Sequence, residues 1–459
     1  MTLTREIFRA YDIRGVYPSE INEKVAEKIG MALGTMLKTK GYATTAVGFD
    51  DRESSAAVSN SLMTGLISTG ISVINVGITV EPALHYFTFL DKIDSAVNVT
   101  ASHNPGQFNG IKVDFKNAIP CFGDELLKIY DIVQSGNFSK GNGTYSEENL
   151  NLKYIEFISS KFKLKKRIKV VVYCGNGATS VIYPQVLENI GATVVPLRCY
   201  FDGSFPAGVP DPESENFYPE LRAQVIESHA QLGVGFDGDG DRVGEVDEKG
   251  TSYRADEMLQ LFAKDVLTKN KGATVIFDVK CSQTVENYIR QLGGIPKMMR
   301  TGRAYFLEEM YNGRALLGGE LSGHTYFKDD FLGFDDGIYA TCRLLKIMDE
   351  TNEKLSKLMT QFPKMYSTPE IKVPCLDKDK FDIVSKLVKD IEVSKQFVSI
   401  NEIDGARVTV SQTGWFLIRA SNTSPYISVR AEGKDIEEVS IILEKIAKLL
   451  AKYNAILKI

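Results

Sequence analysis

Three times along the chain, an apolar strand runs into a polar turn that ends in serine, and a helix follows. The predicted strands span residues 45–49, 168–173 and 274–277, and the polar turns span residues 50–55, 174–180 and 278–282. Strands that alternate with helices build parallel sheets whose faces the helices cover. This weak threefold repeat predicts three related α/β domains with mixed sheets.

The last quarter of the chain has a different pattern. Short strands are predicted at residues 407–411, 415–419 and 427–432, after one helix and before a final amphipathic helix at about residues 436–453. This order favours a smaller α+β domain with an antiparallel sheet, and we expect its hinge at residues 367–369. A chain of 459 residues is long enough for four domains, which we place at residues 1–148, 149–251, 252–366 and 367–459.

Composition and charge exclude several classes of protein. A net charge of −5 argues against nucleic acid as a partner, because a basic face is the usual footprint of such binding. Six scattered cysteines without a C-x-x-C pair fit reduced thiols better than a disulfide framework or a zinc site. The N-terminus lacks a signal-peptide core, and no apolar run approaches the roughly 20 residues of a membrane span. We therefore expect a cytoplasmic protein without a membrane partner, present as a monomer or weak dimer.

The turn after the strand at residues 95–99 carries the strongest catalytic candidate. Residues 98–112 read NVTASHNPGQFNGIK, in which an Asn-Pro-Gly turn exposes the hydroxyl of Ser102. Such a hydroxyl is a covalent acceptor when a cation and a proton-handling group lie nearby. His103 and Lys112 are the neighbours in sequence that meet this need, and an ordinary polar turn is the alternative.

An acidic loop follows the next strongly apolar strand. Residues 235–243 read GFDGDGDRV, so Asp237, Asp239 and Asp241 place three carboxylates together. Such a group calls for a hard cation, namely Mg²⁺, Ca²⁺ or Mn²⁺. An EF-hand is excluded because Arg242 occupies the sixth position, which requires glycine. A solvated acidic turn is the other alternative. Three carboxylates leave coordination positions open for a phosphoryl oxygen, so we expect a metal for phosphoryl chemistry.

Two further loops suit a phosphorylated sugar, although each also fits a structural turn. Residues 318–324 read GGELSGH and offer a carboxylate, a hydroxyl and an imidazole between glycines. Residues 419–425 read RASNTSP, in which Arg419, hydroxyls and backbone N–H groups can form an anion cradle together with Arg430. The chain contains no P-loop motif and no dinucleotide fingerprint after a strand.

Together, these motifs resemble those of the α-D-phosphohexomutase family over the whole length of the chain. The resemblance rests on TASHNP at residues 100–105, DGDGDR at 237–242, GELSGH at 319–324 and RASNT at 419–423, in that order. FRAYDIRG at residues 8–15 and GFDDG at residues 333–337 add to it. The chain is most similar to the bacterial phosphomannomutase/phosphoglucomutase branch.

The resemblance implies four domains in a heart-shaped arrangement around one central cleft. It implies interconversion of hexose 1-phosphate and hexose 6-phosphate, of mannose or glucose, through a phosphorylated Ser102. Glucose or mannose 1,6-bisphosphate would be the intermediate and the activator. One Mg²⁺ ion would be held by Ser102, Asp237, Asp239 and Asp241. The implied catalytic residues are Tyr11, Arg14, Ser102, His103, Lys112, Arg242, Lys280 and His324. The implied substrate-binding residues are Arg303, Glu320, Ser322, Arg419, Ser421, Asn422, Thr423 and Arg430.

Two positions depart from the family pattern. Arg303 stands where this branch usually has histidine, so a titratable group is missing or replaced by a fixed cation. Gly208 stands where many relatives carry histidine. A phosphoglucosamine mutase is the second hypothesis, and Leu321 argues against it because that branch usually has glutamine there. A non-catalytic phosphosugar-binding protein is the third, and the intact Ser102 and the three aspartates disfavour it.

Overall fold

The computed structural model describes residues 3–422 and 425–457, which form four sheets that follow one another along the chain. Strands and helices are numbered in chain order from β1 and α1. Within the described ranges, no helix is long and apolar enough to cross a membrane. Thr423, one of the predicted substrate-binding residues, lies outside the described residues.

The first sheet is mixed and has seven strands. These are β1 (Ile13–Val16), β2 (Thr44–Phe49), β3 (Ser72–Ile78), β4 (Ser95–Val99), β5 (Phe108–Phe115), β6 (Ile119–Pro120) and β7 (Tyr145–Glu147). The accompanying helices are α1 (Glu23–Thr39), α2 (Ser55–Ser68), α3 (Glu81–Phe87) and α4 (Asp124–Ser135). Strand β2 lies parallel to β3 and β4, and β5 pairs antiparallel with β4. Strand β7 follows a loop-like stretch and pairs with β3, so the chain returns to the first sheet there.

The second sheet has five strands, in the order β12-β11-β10-β8-β9. They are β8 (Lys169–Tyr173), β9 (Thr193–Leu197), β10 (Leu232–Phe236), β11 (Val243–Asp247) and β12 (Ser252–Tyr253). Its helices are α5 (Asn151–Ser160), α6 (Tyr183–Asn189) and α7 (Tyr218–Ser228). Strand β8 lies parallel to β9 and β10, and β11 pairs antiparallel with β10.

The third sheet has four strands, in the order β14-β13-β15-β16. They are β13 (Thr274–Asp278), β14 (Ile295–Met299), β15 (Ala315–Gly319) and β16 (Thr325–Phe327). Its helices are α8 (Ala255–Lys269), α9 (Gln283–Gln291), α10 (Arg303–Asn312), α11 (Gly337–Thr351) and α12 (Leu355–Met359). Helix α11 begins after Asp336, whose carboxylate accepts hydrogen bonds from the backbone N–H groups of Ile338 and Tyr339. This cap satisfies donors that a helix start leaves without partners.

The fourth sheet is antiparallel throughout. Its strands are β17 (Tyr366–Ser367), β18 (Ile371–Pro374), β19 (Ser399–Asn401), β20 (Ala406–Thr409), β21 (Trp415–Ala420) and β22 (Tyr426–Gly433), with helices α13 (Lys380–Ser394) and α14 (Ile436–Ala451). Strand β17 pairs with β22, and the Thr368 N–H donates to the Ala431 carbonyl, 2.9 Å away. Residues 367 and 368 therefore already belong to this sheet, and the expected hinge moves to the unpaired residues 363–365 before it.

The first three sheets share one arrangement that positions the predicted motifs. At least three parallel strands stand together in each sheet, and one of them continues through a loop into an antiparallel neighbour. We call these the serine loop (residues 100–107), the aspartate loop (residues 237–242) and the glutamate loop (residues 320–324). Because loops at the carboxyl ends of parallel strands form the usual ligand edge of an α/β sheet, this equivalence directs all three motifs toward one site.

The apolar core divides the chain differently from the sheets. One continuous cluster runs through the second and third sheets and includes Leu84 and Phe87 of α3 from the first. Most of the first sheet and most of the fourth sheet each have their own cluster, and a small cluster of Val279, Trp415 and Leu417 joins the fourth sheet to the third. The fold class is confirmed: three α/β units with mixed sheets precede a smaller α+β unit. The domain ends at residues 148, 251 and 366 stay a proposal.

Candidate active site

The serine loop holds Ser102 in a strained conformation that aims its hydroxyl at the aspartate loop. Ser102 has φ of 48°, in the left-handed region that non-glycine residues rarely adopt. Its backbone N–H donates to Thr100 Oγ1 at 2.9 Å, and its own Oγ donates to Asp237 Oδ2 at 2.9 Å. His103 Nδ1 lies 3.2 Å from the same Oγ. Backbone strain of this kind collects at functional sites, where the surroundings hold it in place.

A buried guanidinium that the sequence prediction missed supports this loop. Arg52 donates to the carbonyl oxygens of Ser102 and Asn104, each at 2.7 Å, and to that of Pro105 at 2.7 Å. Asp50 holds the guanidinium from the other side, 2.9 Å from its Nε. Arg52 follows the end of β2 by three residues, and β2 lies parallel to β4, the strand that leads into the serine loop. This position in the sequence could have identified Arg52 as a support for that loop.

The aspartate loop gathers three buried carboxylates next to Ser102. One oxygen from each of Asp237, Asp239 and Asp241 lies within 4.8 Å of the others. Lys112 Nζ donates to Asp239 at 2.7 Å and to Asp241 at 3.1 Å, and Arg242 Nε donates to Asp237 at 3.0 Å. The Oδ1 atoms of Asp239 and Asp241 are buried and have no hydrogen-bond partner among the described residues.

These donors fit a hard divalent cation. Buried carboxylate oxygens without a hydrogen-bond donor are costly, and a cation that accepts oxygen ligands removes that cost. The three aspartates lie beside a serine hydroxyl, so the set consists of oxygen atoms alone. Such a set favours Mg²⁺, Ca²⁺ or Mn²⁺ over zinc.

The electrostatics around Ser102 assign different charge states to its neighbours. Desolvation by the surrounding cleft, then Arg242 and Arg14, lower the pKa of His103 well below its usual value although the residue keeps an exposed surface, so this imidazole is neutral at pH 7. Burial alone would lower the pKa of Lys112, but Asp239 and Asp241 outweigh it and raise that pKa well above its usual value. Lys112 is therefore a permanent cation, and His103 is a proton acceptor.

The glutamate loop brings a buried carboxylate and an imidazole to the cleft beside the aspartate loop. Glu320 accepts from Tyr326 Oη at 2.7 Å and from the Gly302 N–H at 3.0 Å. His324 Nδ1 lies 2.7 Å from Asp335 Oδ2 and 3.8 Å from Asp241 Oδ1. Burial lowers the pKa of His324, but Asp241 and Asp335 outweigh burial and raise it to about 9.

Arg303 fills a second buried acid cluster, which we call the Arg303 cluster (Glu81, His85, Asp114 and Arg303). Its Nη1 donates to Glu81 Oε1 at 2.8 Å and lies 2.8 Å from His85 Nε2. Its Nη2 donates to Asp114 Oδ1 at 3.3 Å. Arg303 begins α10, whereas its three partners belong to the first sheet and its helices. The residue that departs from the family pattern thus joins two parts of the chain across the cleft.

The segment that joins β21 to β22, which we call the arginine loop (residues 419–425), lines the cleft with its described residues Arg419, Ser421, Asn422 and Pro425. Arg419 Nε donates to Asp404 Oδ2 at 2.8 Å, and Asn422 Nδ2 donates to Tyr11 Oη at 2.8 Å. Tyr11 Oη donates in turn to the Thr301 carbonyl, 3.0 Å away. Tyr11 therefore links the first, third and fourth sheets at one point.

A cleft of about 440 Å³ joins these loops. Fifteen of the predicted residues line it, namely Tyr11, Arg14, Ser102, His103, Lys112, Asp241, Arg242, Lys280, Arg303, Glu320, Ser322, His324, Arg419, Ser421 and Asn422. Asp237 and Asp239 lie just beneath its wall and are fully buried. Two acids that the prediction missed, Asp211 and Glu213, also line it and pair with Arg242 at 3.1 Å and Lys280 at 3.2 Å.

Arg430 does not line this cleft. Its side chain is fully buried, donates to the Lys280 carbonyl and pairs with Asp256 at 3.2 Å. Strand β22 alternates its side chains, and Arg430 points from it into the contact with the third sheet. In the structure Arg430 therefore supports the turn that carries Lys280, and its role as a substrate ligand stays a prediction.

Comparisons with known proteins agree along the whole chain. Residues 5–140, 152–250 and 254–366 match the phosphoglucomutase/phosphomannomutase alpha/beta/alpha domains I, II and III, and residues 370–449 match the C-terminal domain of the same family. A phosphomannomutase/phosphoglucomutase of Pseudomonas aeruginosa is 38% identical over 96% of this chain and 94% of its own length. A phosphoglucomutase of Neisseria gonorrhoeae is 34% identical over 94% of each chain. The crystal structure of a phosphoglucomutase/phosphomannomutase family protein from Burkholderia thailandensis superposes with a TM-score of 0.93, at 33% identity and full coverage of both chains.

Proposed function

The chain belongs to the phosphoglucomutase/phosphomannomutase family, and from that premise we propose how this phosphohexomutase uses its cleft. It is an isomerase that interconverts hexose 1-phosphate and hexose 6-phosphate. We propose Ser102 as the residue that carries the phosphoryl group. The observation that supports this most is the Ser102 hydroxyl, 2.9 Å from Asp237, on a strained turn that faces the cleft.

The proposed reaction has two transfers. In the first, a hydroxyl of the hexose monophosphate attacks the phosphorus on Ser102, the P–Oγ bond breaks, and the hydroxyl proton passes to a base. The product is a 1,6-bisphosphate and a free serine. The bisphosphate then turns over, and Ser102 Oγ attacks its other phosphate, which restores the phosphoserine and releases the isomeric monophosphate. Free bisphosphate would reload an enzyme that has lost its phosphate.

Charge on the transferred phosphoryl group has to be balanced by fixed cations. We propose Lys112, Arg242 and Lys280 for this role, since all three line the cleft as buried cations with acidic partners. His103 is our candidate for the proton at Ser102 Oγ, 3.2 Å away. His324, held by Asp335, and Arg14 complete the polar wall.

We propose Mg²⁺ as the metal and Ser102, Asp237, Asp239 and Asp241 as the residues that would hold it. When bound, this ion would withdraw electron density from the phosphoryl oxygens. The buried Oδ1 atoms of Asp239 and Asp241 support the assignment, because the described residues offer them no donor.

We propose the arginine loop as the holder of the phosphate that is not reacting. The fourth sheet has its own apolar core, and it meets the rest of the molecule through the small apolar cluster of Val279, Trp415 and Leu417 and through polar contacts such as Asn422 with Tyr11. A unit attached in this way can close for chemistry and loosen while the bisphosphate turns over. The hinge we propose is the unpaired stretch at residues 363–365.

We propose that both mannose and glucose phosphates are substrates. Turning the bisphosphate exchanges the sugar hydroxyls O3 and O4, so contacts from Glu320 and Ser322 must accept either orientation. Glucose and mannose differ at C2, which such contacts do not touch. A kcat/KM ratio above about a thousandfold, some 4 kcal/mol, would instead mean that the site reads C2.

The direct test is phosphoserine analysis of the purified protein. We expect part of the protein to carry phosphate on Ser102, detected by peptide mass spectrometry, and Ser102→Ala to lose turnover while circular dichroism stays unchanged. Ser421→Ala, a second hydroxyl in the cleft, is the matched control and should keep the phosphopeptide. Near-normal turnover by Ser102→Ala would remove Ser102 from the mechanism.

A further inference from the structure

Two thiols meet at the edge of the second sheet, outside the cleft. Cys174 directly follows β8, and Cys199 follows the parallel strand β9 by two residues. Their Sγ atoms lie 3.1 Å apart. A disulfide has an S–S distance of about 2.05 Å, so the two sulfur atoms need to approach by about 1 Å to form one.

A backbone turn at Arg198 brings Cys199 back over the sheet. Arg198 has φ of 48°, an uncommon conformation for a long side chain. This turn places Cys199 Sγ 3.2 Å from the Val172 carbonyl oxygen, inside the sheet edge. The Cys174 N–H donates to the Leu197 carbonyl at 3.1 Å, which holds the two strand ends together. The thiol contact is therefore built into the strand ends and does not depend on two flexible side chains alone.

We propose that Cys174 and Cys199 form a reversible disulfide when the protein meets a hydroperoxide, and that this disulfide slows the mutase reaction. In the first step, Cys199 sulfur attacks the peroxide, the O–O bond breaks, and hydrogen peroxide yields a sulfenic acid and one water. In the second, Cys174 sulfur attacks Cys199 sulfur and displaces the hydroxide, which leaves as water with the thiol proton. Two thiols are oxidised, and one hydrogen peroxide is reduced to two waters.

The two cysteines differ in a way that assigns their order. Cys199 is partly exposed, whereas Cys174 is fully buried. The hydrogen bond with Cys174 lowers the pKa of Cys199, while burial raises the pKa of Cys174 well above its usual value. Cys199 is therefore the thiol that a peroxide attacks. We expect the disulfide to form over seconds to hours, depending on the peroxide concentration.

Backbone contacts connect this pair to the catalytic loops. A Cβ atom on Gly177, in the turn that Cys174 begins, would lie 3.1 Å from the carbonyl oxygen of Gly238 in the aspartate loop. A Cβ atom on Gly238 would lie 2.6 Å from the carbonyl oxygen of Ser102. These contacts leave no space for side chains, so a displacement of the Cys174 turn is passed to the aspartate loop and on to Ser102.

The segment after Cys199 makes a second connection. Asn176 Nδ2 donates to the Tyr200 carbonyl at 3.2 Å, which joins the two segments. Further along, the ring of Phe205 lies under the guanidinium of Arg52, 5.2 Å from its centroid. Arg52 is the residue that holds the serine loop. The proposed disulfide therefore pulls on supports of both loops, and a misplacement of about 1 Å at reacting groups can cost as much as 100-fold in rate.

The test uses the full-length protein and has two separate readouts. The protein is treated with hydrogen peroxide under native conditions, and peptide mapping without reductant looks for the Cys174–Cys199 cross-link. We expect the cross-linked peptide, a kcat lowered about 10- to 100-fold, and recovery of both on adding dithiothreitol. Cys199→Ser should keep normal basal activity and lose the peroxide response.

Cys375→Ser is the matched control, since Cys375 is also partly exposed but lies in the fourth sheet's unit. This variant should respond to peroxide as the wild type does. Absence of the cross-linked peptide overturns the proposal, and so does a cross-linked protein with unchanged kcat. The expected effect on rate rests on the proposed function, but the cross-link does not. A protein that lacks mutase activity even when reduced would refute the proposed function. The peptide map would still test the disulfide.

Discussion

The cleft lies between two buried acid clusters that are satisfied in opposite ways. In the aspartate loop, Asp239 and Asp241 each keep one carboxylate oxygen without a donor among the described residues. In the Arg303 cluster, Glu81 accepts from Arg303 at 2.8 Å and from Asn98 at 2.6 Å. Asp114 accepts from Arg303 at 3.3 Å and lies 2.7 Å from His85 Nδ1, so all four of these oxygens have protein partners.

This comparison distinguishes a site that can bind an exchangeable cation from a site that contains a permanent one. An arginine stays charged across the physiological range and presents its donors in a rigid plane. Placed between Glu81 and Asp114, Arg303 balances their charge without any ion from solution. The aspartate loop lacks such a residue for two of its oxygens, and it is there that we propose Mg²⁺.

Removing the permanent cation should have the largest effect. Arg303→Ala leaves Glu81 and Asp114 buried without their cation, and we expect the free energy of unfolding to fall by about 3–5 kcal/mol. Denaturant titration measures this loss. Arg300→Ala is the control, because Arg300 is exposed and its guanidinium lies over the face of Tyr305, 4.5 Å from the ring centroid. An equal loss in both variants would contradict a special role for Arg303.

Arg303→His tests the same role of Arg303 through the dependence of stability on pH. An imidazole balances the two acids only when it is protonated, so this variant should approach wild-type stability at pH 6 and fall behind it at pH 8. Arg303 itself adds no such pH dependence to the wild type, because its guanidinium does not titrate in this range. A parallel pH dependence of the two proteins would contradict the interpretation.

Asp239→Asn should weaken metal binding in the aspartate loop. We expect the Mg²⁺ concentration for half-maximal activity to rise about 10- to 100-fold, because one formal charge leaves the oxygen cage. Calorimetric titration with Mg²⁺ measures the same change without turnover. Glu245→Gln is the matched control, a buried carboxyl on the neighbouring strand β11, and it should leave Mg²⁺ affinity unchanged. Full activity of the wild type after exhaustive chelation would refute the assignment.

Arg419→Ala tests a cation whose acid partner, Asp404, leaves its guanidinium at the cleft wall. If Arg419 holds the distal phosphate, we expect KM to rise about tenfold, roughly 1.4 kcal/mol, and kcat to fall. The intermediate should also escape more often, so added glucose 1,6-bisphosphate should restore activity. Steady-state kinetics with and without bisphosphate measure this. Unchanged KM and no greater dependence on bisphosphate would exclude Arg419 from the phosphate site.

The smallest effect concerns a buried acid that belongs to neither cluster. Burial raises the pKa of Glu245 from 4.5 to about 8. The native state therefore keeps a proton that the unfolded chain has lost, and stability falls as pH rises between these values. We expect a slope of about 1 kcal/mol per pH unit in the wild type, absent in Glu245→Gln. Denaturant titrations at pH 5, 6, 7 and 8 compare the two, and equal slopes would contradict the assignment.

Local features of the sequence predicted the elements and the four motifs well. The strand predicted at residues 95–99 is β4 without change, and the predicted helix at residues 436–453 is α14 with its end two residues earlier. Patterns of this kind depend on near neighbours, through turn chemistry and the alternation of apolar residues. For the same reason, Ser102, the three aspartates and Arg419 could be selected as site candidates before any tertiary contact was known.

The threefold repeat predicted from the sequence lies at different turns from the three equivalent loops of the structure. The sequence pattern emphasised the turns that lead from strand to helix, at residues 50–55, 174–180 and 278–282. In the structure, the equivalent catalytic loops instead join a parallel strand to its antiparallel neighbour. Strand direction depends on pairing between distant segments, so sequence periodicity alone does not distinguish the two kinds of turn.

By itself, the sequence determined the family, the fold class and the candidate residues for the chemistry, because these depend on local residue types and spacing. Only the tertiary structure decided how the charges pair. Arg303 reaches Glu81 from 222 positions away, Arg52 supports a loop about 50 residues later, and Arg430 turns from the cleft into a contact between sheets. Burial strengthens every one of these electrostatic contacts, and burial is a property of the packed chain.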